Sequence, residues 1–182
     1  MSRPLRLNRT LAGSLAGCLL ALAVSADTAP RTIQLDSTFS VTEVSWIREP
    51  GNATVLGTAS LKLRDGTPKT CAGFNVELLP VATYSSERIF RTYGNNRAGQ
   101  VLVEDNPPTF TPDAPGYHEY VIKGVCSPQG VFRFEKVPAG DYYVMVFIIW
   151  DVAGANPPTK TGGAVMKRIH VNPRAMLNVE AP

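Results

Sequence analysis

The clearest hydrophobic pattern in the chain lies between Gly130 and Asp151. Phe132 and Phe134 alternate with charged residues, which is the period of two expected of a strand with one buried face. Residues 142–150 are all apolar or aromatic, which favours a strand covered on both faces. The intervening Val-Pro-Ala-Gly sequence predicts a turn. We therefore expect a hairpin whose second strand lies at the centre of a sheet.

Shorter segments with alternating or β-branched residues predict the other strands. They are residues 38–47, 54–64, 71–80, 120–126, 164–171 and 175–180. Glycine, proline and asparagine separate them and favour turns. We find no helical periodicity longer than a turn or two. The pattern predicts an all-β fold, an antiparallel β-sandwich of seven to eight strands.

A long irregular insertion is expected at about residues 84–119. It begins with a short helical turn capped by Ser85 or Ser86. Residues 106–116 contain four prolines, which exclude a central strand or a helix. Loops on a rigid scaffold often carry its contacts. The candidate binding surface comprises Tyr84, Arg88, Arg91, Tyr93, Arg97, Phe110, Tyr117 and His118. The alternative is that the aromatic residues pin the loop to the sandwich and the arginines are solvated.

The N-terminus predicts export. Residues 1–26 combine three arginines with an apolar run too short to span a bilayer, as in a signal peptide cleaved before Asp27. Residues 27–37 are then a flexible tether, and residues 38–182 form the sandwich domain. The alternative is a lipobox ending at Cys18, whose lipidation would give an outer-membrane lipoprotein. The expected location is periplasmic or secreted.

The net charge of the chain adds little to the prediction of an exported β-sandwich. The formal net charge of +3 equals the three arginines of the leader, which contains no acidic residue. A neutral mature domain gives no electrostatic reason to expect a nucleic-acid partner. Contact with a membrane is expected only if Cys18 is lipidated.

Two cysteines remain after cleavage of the leader. An exported protein meets an oxidising compartment, so Cys71 and Cys126 are expected to form a disulfide. The alternative is a pair of buried free thiols.

No motif for catalysis or cofactor binding stands out. His118 and His170 lie far apart in the sequence, and no carboxylate pair suggests a general acid and base. Four aspartates fall at predicted turns, where such carboxylates usually cap backbone N–H groups; a structural calcium site is the alternative. We expect no catalytic residues, no metal and no cofactor.

The residues that resemble a known family are Ala72–Leu79 and the segment Gly130–Tyr142, which reads GVFRFEKVPAGDY. Together with the turn at Gly66, they resemble the carboxypeptidase regulatory-like domain, a transthyretin-like (prealbumin-like) β-sandwich. The resemblance covers roughly residues 53–179, interrupted by the insertion. It implies a non-catalytic binding or structural module on an exported protein.

Two enzyme families of related architecture depend on sequence features that this chain lacks. Intradiol dioxygenases bind iron through two tyrosines and two closely spaced histidines, and this chain has no His-x-His. Hydroxyisourate hydrolases end in Tyr-Arg-Gly-Ser, whereas this chain ends in Val-Glu-Ala-Pro. We therefore expect a non-enzyme whose partner is an unidentified protein or carbohydrate of the cell envelope or exterior. The competing hypotheses are a lipid-anchored envelope accessory protein and a small transthyretin-like hydrolase or dioxygenase-like enzyme.

Overall fold

The computed structural model describes residues 31–182, which contain eleven strands and two α-helices. The strands are β1 (Thr32–Gln34), β2 (Ala53–Lys62), β3 (Pro68–Thr70), β4 (Asn75–Pro80), β5 (Ala98–Leu102), β6 (Thr109–Thr111), β7 (Ile122–Val125), β8 (Val131–Val137), β9 (Gly140–Asp151), β10 (Lys160–Val171) and β11 (Met176–Ala181). The helices are α1 (Val41–Val44) and α2 (Thr83–Tyr93), and 3-10 turns occupy Ser45–Arg48, Val103–Asp105 and Pro115–His118.

Two sheets form the sandwich. The first is a five-stranded antiparallel sheet in the order β5-β10-β9-β4-β7. In the second sheet β2 is central, β11 runs parallel to it along one edge, and β8 and β3 pair with successive parts of its other edge. The predicted all-β sandwich is confirmed, and β9 lies at the centre of its sheet as expected.

The main core lies between the two sheets. β8 contributes Phe132 and Phe134, β2 contributes Val55 and Leu61, and all four are buried. Phe132 and Phe134 therefore occupy the buried face that their alternation predicted. Burial of each such apolar side chain stabilises the fold by roughly 1.5–3 kcal/mol.

The turn between β8 and β9 is not a hydrogen-bonded hairpin. β8 pairs with β2 in one sheet, whereas β9 pairs with β4 and β10 in the other. The prediction of a reversal was right, but the two strands face each other across the core instead of lying side by side. A turn sequence specifies a change of direction and does not specify the sheet that the next strand joins.

The predicted strand over residues 38–47 is wrong, because the chain forms α1 and a 3-10 turn there. Ser40 and Glu43 have the Ser-x-x-Glu spacing typical of a helix start, and Val44 and Ile47 are buried on one side of this helical segment. Before it, residues 32–34 of the predicted tether form β1, which pairs in parallel with β6. Residues 27–30 of that tether lie outside the described residues.

The segment 84–119 is more regular than expected. It contains most of α2, an eleven-residue helix in place of a single turn. It also contains β5, which pairs with β10 and forms one edge of the five-stranded sheet. The irregular part is confined to residues 103–121, which contain the short strand β6 and two 3-10 turns.

Cys71 and Cys126 form the predicted disulfide, with their Cα atoms 5.8 Å apart. Both cysteines are buried in the core between the sheets. The bond joins the chain just before β4 to the end of β7. The predicted leader and Cys18 lie outside the described residues.

Candidate functional site

A cavity of about 280 Å³ lies against the outer face of the five-stranded sheet. The sheet forms its floor, α2 forms one wall, and residues of the segment from β5 to β7 border the other side. This cavity lies outside the main core and is bordered by a second cluster of buried apolar residues. Its surface is mostly apolar, with a small number of polar groups among the lining residues.

The floor follows from strand periodicity. Along β9, Val144, Val146 and Ile148 point into the main core, so the intervening Met145 and Phe147 point outward into the cavity. Both faces of β9 are therefore covered, which explains its unbroken apolar sequence. The sequence predicted this double coverage but not the elements that provide it.

Glu77 is the acidic residue on this floor. It follows the same alternation on β4, since Val76 and Leu78 on either side of it face the main core. Its cross-strand partners are Met145 on β9 and Lys123 on β7. Within residues 31–182, the Glu77 carboxylate forms neither a hydrogen bond nor an ion pair. It remains able to accept hydrogen bonds.

The wall is α2, which packs on the sheet through Ile89 and borders the cavity through Tyr93. At the start of the helix, the Ser85 hydroxyl donates to the Pro80 carbonyl at 2.8 Å and accepts from the Ala82 amide at 2.9 Å. The helix ends at Gly94, whose φ of 72° is left-handed and suits glycine. These contacts fix the orientation of the helix over the sheet.

Phe110 borders the cavity from β6. Ile33 of β1 is the register partner of Phe110, so the N-terminal strand holds β6 in place. The Tyr84 hydroxyl of α2 anchors the same region, because it donates to the Pro112 carbonyl at 2.8 Å and lies 3.2 Å from the Ala114 amide. This side of the cavity is thus tied to both α2 and β1.

Arg88 joins the helix to the irregular segment. Its guanidinium lies 4.3 Å from the Tyr117 ring centre and 4.6 Å from that of Phe110. It also donates to Asp113 at 2.5 Å and to the Tyr84 hydroxyl at 3.1 Å. Only 13% of the Arg88 side chain is exposed. The guanidinium is therefore already engaged by a carboxylate, a phenol and aromatic faces.

Asp113 also contacts His118, whose Nε2 atom lies 3.2 Å from the carboxylate. Burial raises the pKa of Asp113, but hydrogen bonds from Arg88 and His118 outweigh it, and the net shift is downward. Asp113 therefore remains ionised and neutralises Arg88 at this side of the cavity.

Two phenols complete the lining. Within the described chain, the hydroxyls of Tyr93 and Tyr117 have no hydrogen-bond partner. Burial raises the pKa of each well above its ordinary value. Each hydroxyl therefore stays protonated and can both donate and accept a hydrogen bond.

The structure brings together five of the eight predicted site residues, and whether they bind a ligand stays a prediction. The residues that line the cavity are Arg88, Tyr93, Phe110, Tyr117 and His118. Tyr84 is buried beside them and supports Arg88. Arg91 instead pairs with Asp36 and Glu87, and the Arg97 carbonyl accepts from the Arg168 amide. These two arginines do not line the cavity.

Sequence reasoning missed the floor, including Glu77 and Phe147. A signal was present, because residues that alternate with a core face must point to the opposite side of the sheet. An apolar outward face on a central strand needs a cover, and the adjoining segment was long enough to supply one.

The two histidines lie on separate elements with separate partners. His118 contacts Asp113 beside the cavity, and the His170 Nδ1 atom on β10 lies 3.0 Å from Asp141. Among residues 31–182, no group of three or more His, Cys, Asp or Glu side chains could hold a metal ion. No helix in this part of the chain has the length and apolar character needed to cross a membrane.

The four turn aspartates are bonded within the protein. Asp65 accepts from the Thr67 amide and Asp105 from the Leu102 amide, as expected of turn carboxylates. Asp113 pairs with Arg88, and Asp151 pairs with Lys160.

Comparisons with known proteins give a structural likeness. No protein-family model and no curated protein match this chain. Among solved structures, it is similar to the crystal structure of a "putative carbohydrate binding protein" from Pseudomonas aeruginosa, with a TM-score of 0.63 and 20% sequence identity. The match covers 80% of this chain and 97% of the other. At this level of identity the likeness shows a shared fold: this chain and the Pseudomonas protein are β-sandwiches of the same overall architecture.

Proposed function

We propose that this protein is an exported, non-catalytic binding module and that the cavity beside α2 is its ligand-binding site. The observation that carries this proposal is the combination of an apolar cavity with polar groups that have no partner inside the described chain: the Glu77 carboxylate and the hydroxyls of Tyr93 and Tyr117. Ligand sites are typically concave and mostly apolar, with a few polar groups that orient the ligand.

The contacts of the remaining polar groups favour a binding site over a catalytic one. Arg88 is engaged by Asp113, Tyr84 and two aromatic rings, and His118 shares the same carboxylate. These contacts hold the residues that border the cavity in fixed positions. A pre-organised site of this kind loses little conformational entropy when a ligand binds.

The disulfide supports an exported location. Cys71–Cys126 is typical of proteins that fold in oxidising compartments such as the periplasm or the cell exterior. Together with the predicted leader, it supports a periplasmic or secreted protein. Lipid anchoring at Cys18 is the alternative form of export. Membership of the carboxypeptidase regulatory-like family is part of the same proposal and rests on the resemblance of residues 72–79 and 130–142 and of the turn at Gly66.

The description of the Pseudomonas protein makes carbohydrates one ligand class to test. Aromatic side chains such as Tyr93, Tyr117 and Phe147 offer flat apolar surfaces, and sugar rings have apolar faces that can pack on them. A glycan panel therefore belongs beside a panel of small organic molecules.

The test is a binding screen with a variant that fills the cavity. Ala164 lines the cavity from β10, opposite Phe147 on β9, so Ala164→Phe places a ring inside it. Ala153→Phe adds the same ring in the exposed loop after β9 and serves as the matched control. Both panels are screened by thermal shift and confirmed by isothermal titration calorimetry.

We expect at least one ligand to bind the parent protein and the Ala153→Phe variant, and to lose at least about tenfold in affinity with Ala164→Phe. Circular dichroism should show that both variants keep the parent fold. If no compound in either panel shows binding that depends on Ala164, the proposal is contradicted.

A further inference from the structure

We propose that the ligand of this cavity is a neutral bicyclic aromatic compound with one hydrogen-bond donor, of the indole or naphthol class, rather than a free sugar. This inference rests on the proposed function and specifies the chemistry of the same site. It follows from the composition, volume and charge of the cavity.

The composition of the lining disfavours a sugar. The floor and the helical wall of the cavity consist mostly of aliphatic and aromatic side chains, which include Leu79, Met145, Phe147 and Ile89. Among the described residues, few polar groups of the lining lack a hydrogen-bond partner. A monosaccharide has several hydroxyls, and most would lose water without gaining a partner here. Each buried hydroxyl without a partner weakens binding by roughly tenfold to a hundredfold. An aromatic ring without hydroxyl groups has no such penalty, and the burial of its apolar surface favours binding.

The volume sets the size of the ring system. An engineered apolar cavity of roughly 150 Å³ is known to accept benzene. The present cavity has about 280 Å³, nearly twice that volume. It can therefore hold two fused rings.

Glu77 is the reason to expect a hydrogen-bond donor on the ligand. A carboxylate only accepts hydrogen bonds, and this one has no donor within the described chain. Lys123 is its cross-strand partner on β7, but the exposed lysine side chain makes no ion pair with it in this structure. An N–H or O–H group on a bound ring would supply a charge-assisted hydrogen bond, which is stronger than a neutral one.

The charge on the other side of the cavity favours a neutral ligand. Arg88 already forms an ion pair with Asp113, and its guanidinium lies against the rings of Phe110 and Tyr117. A ligand carboxylate would have to displace Asp113 and would also meet the negative charge of Glu77. A neutral aromatic compound avoids both costs.

The experiment compares two ring systems of nearly equal shape. Indole carries an N–H donor, and benzofuran has an oxygen in its place and no donor. Both are titrated by calorimetry into the parent protein, into Glu77→Leu and into Glu135→Leu. Glu135 is an exposed glutamate on β8 in the other sheet and gives the matched control. Glucose and galactose are titrated in parallel, and Ala164→Phe reports whether any binding occurs in the cavity.

We expect the parent protein and Glu135→Leu to bind indole at least about tenfold more tightly than benzofuran. In Glu77→Leu this preference should disappear while benzofuran binding is retained, which a general loss of folding could not produce. Neither sugar should bind.

Two outcomes overturn the inference while leaving the binding function in place. If a sugar binds in a manner that depends on Ala164 while neither ring compound does, the aromatic class is wrong. If the preference for indole survives in Glu77→Leu, the assignment of the acceptor is wrong. If nothing in the full panels shows binding that depends on Ala164, the proposed function itself fails.

Discussion

Arg88 lies with its guanidinium 4.3 Å from the centre of the Tyr117 ring. This contact joins α2 to the 3-10 turn that borders the cavity. Since Arg88 also bonds to Asp113, one side chain connects the helix both to that turn and to the residues just before it.

Replacing Arg88 should destabilise this side of the cavity. Arg88→Met keeps part of the apolar stem and removes the hydrogen bonds and the cation–aromatic contacts, so we expect a loss of about 2 kcal/mol in the free energy of unfolding. Arg91→Met is the matched control on the same helix, because 41% of the Arg91 side chain is exposed and its ion pair with Asp36 lies on the surface. Chemical denaturation measures both. Equal effects of the two variants would contradict the role assigned to Arg88.

Removing the disulfide should lower stability substantially. Cys71 and Cys126 are separated by 55 positions in the sequence, and closing a loop of that length stabilises a fold by about 4 kcal/mol on the chain-entropy model. The Cys71→Ala/Cys126→Ala variant should lose that amount in urea denaturation. The parent protein, denatured in the presence of reductant, should show a similar loss. A change below about 1 kcal/mol would contradict this expectation.

Glu87 should make stability depend on acid pH. Its carboxylate accepts from the Ser37 hydroxyl and from the amides of Asp36 and Ser37. These bonds, led by that from the Ser37 hydroxyl, lower its pKa from 4.5 to about 2. The folded state therefore binds this proton less readily than the unfolded state. The resulting stabilisation is complete above the unfolded pKa and is lost as the pH falls through the folded pKa.

Glu87→Gln should remove this stabilisation. We expect it to cost about 1 kcal/mol near neutral pH, with the difference from the parent protein narrowing as the pH falls from 4.5 towards 2. Denaturation curves at several pH values measure the difference, and the exposed Glu49→Gln serves as the control. A difference that is constant across this pH range would contradict the assigned cause.

Gly140 should not tolerate a side chain. A Cβ atom at this position would lie 2.5 Å from the Trp46 ring, which packs against Tyr142 with 5.1 Å between ring centres. Gly140→Ala should therefore cost about 2 kcal/mol through overpacking. Trp46→Leu makes room, so the added cost of Gly140→Ala should shrink in the double variant. Additive effects in this double-mutant cycle would show that the ring is not the obstacle.

The central strand could be predicted because its sequence shows that both of its faces are buried. Every residue from Tyr142 to Trp150 is apolar or aromatic, and this required cover on two sides. The covering helix was harder to predict. On α2, Tyr84, Ile89 and Tyr93 belong to the packed side, but polar residues separate them in the sequence and leave only a narrow apolar face. Gly94, directly after Tyr93, was the clearest available sign of a helix end.

The error at residues 38–47 has a different cause. Phe39, Val41 and Ile47 favour strands locally, yet the chain turns here to place Val44 and Ile47 in the protein interior. Tertiary contacts outweighed local preference. The cavity itself could not be predicted, because it depends on the distance at which α2 is held from the sheet, and no local pattern encodes that distance.

The pairing of β1 with β6 ties the start of the described chain to the border of the ligand site. Ile33 is the partner of Phe110, and Phe110 borders the cavity. Because β6 has no other strand beside it in the described chain, removing the residues up to 37 would take away the strand that pairs with Phe110, while its contact with Arg88 and the contacts on the floor remain. Ligand affinity should therefore be thermodynamically coupled to the attachment of the N-terminal strand, so that trimming that strand changes affinity even though none of its residues lines the cavity.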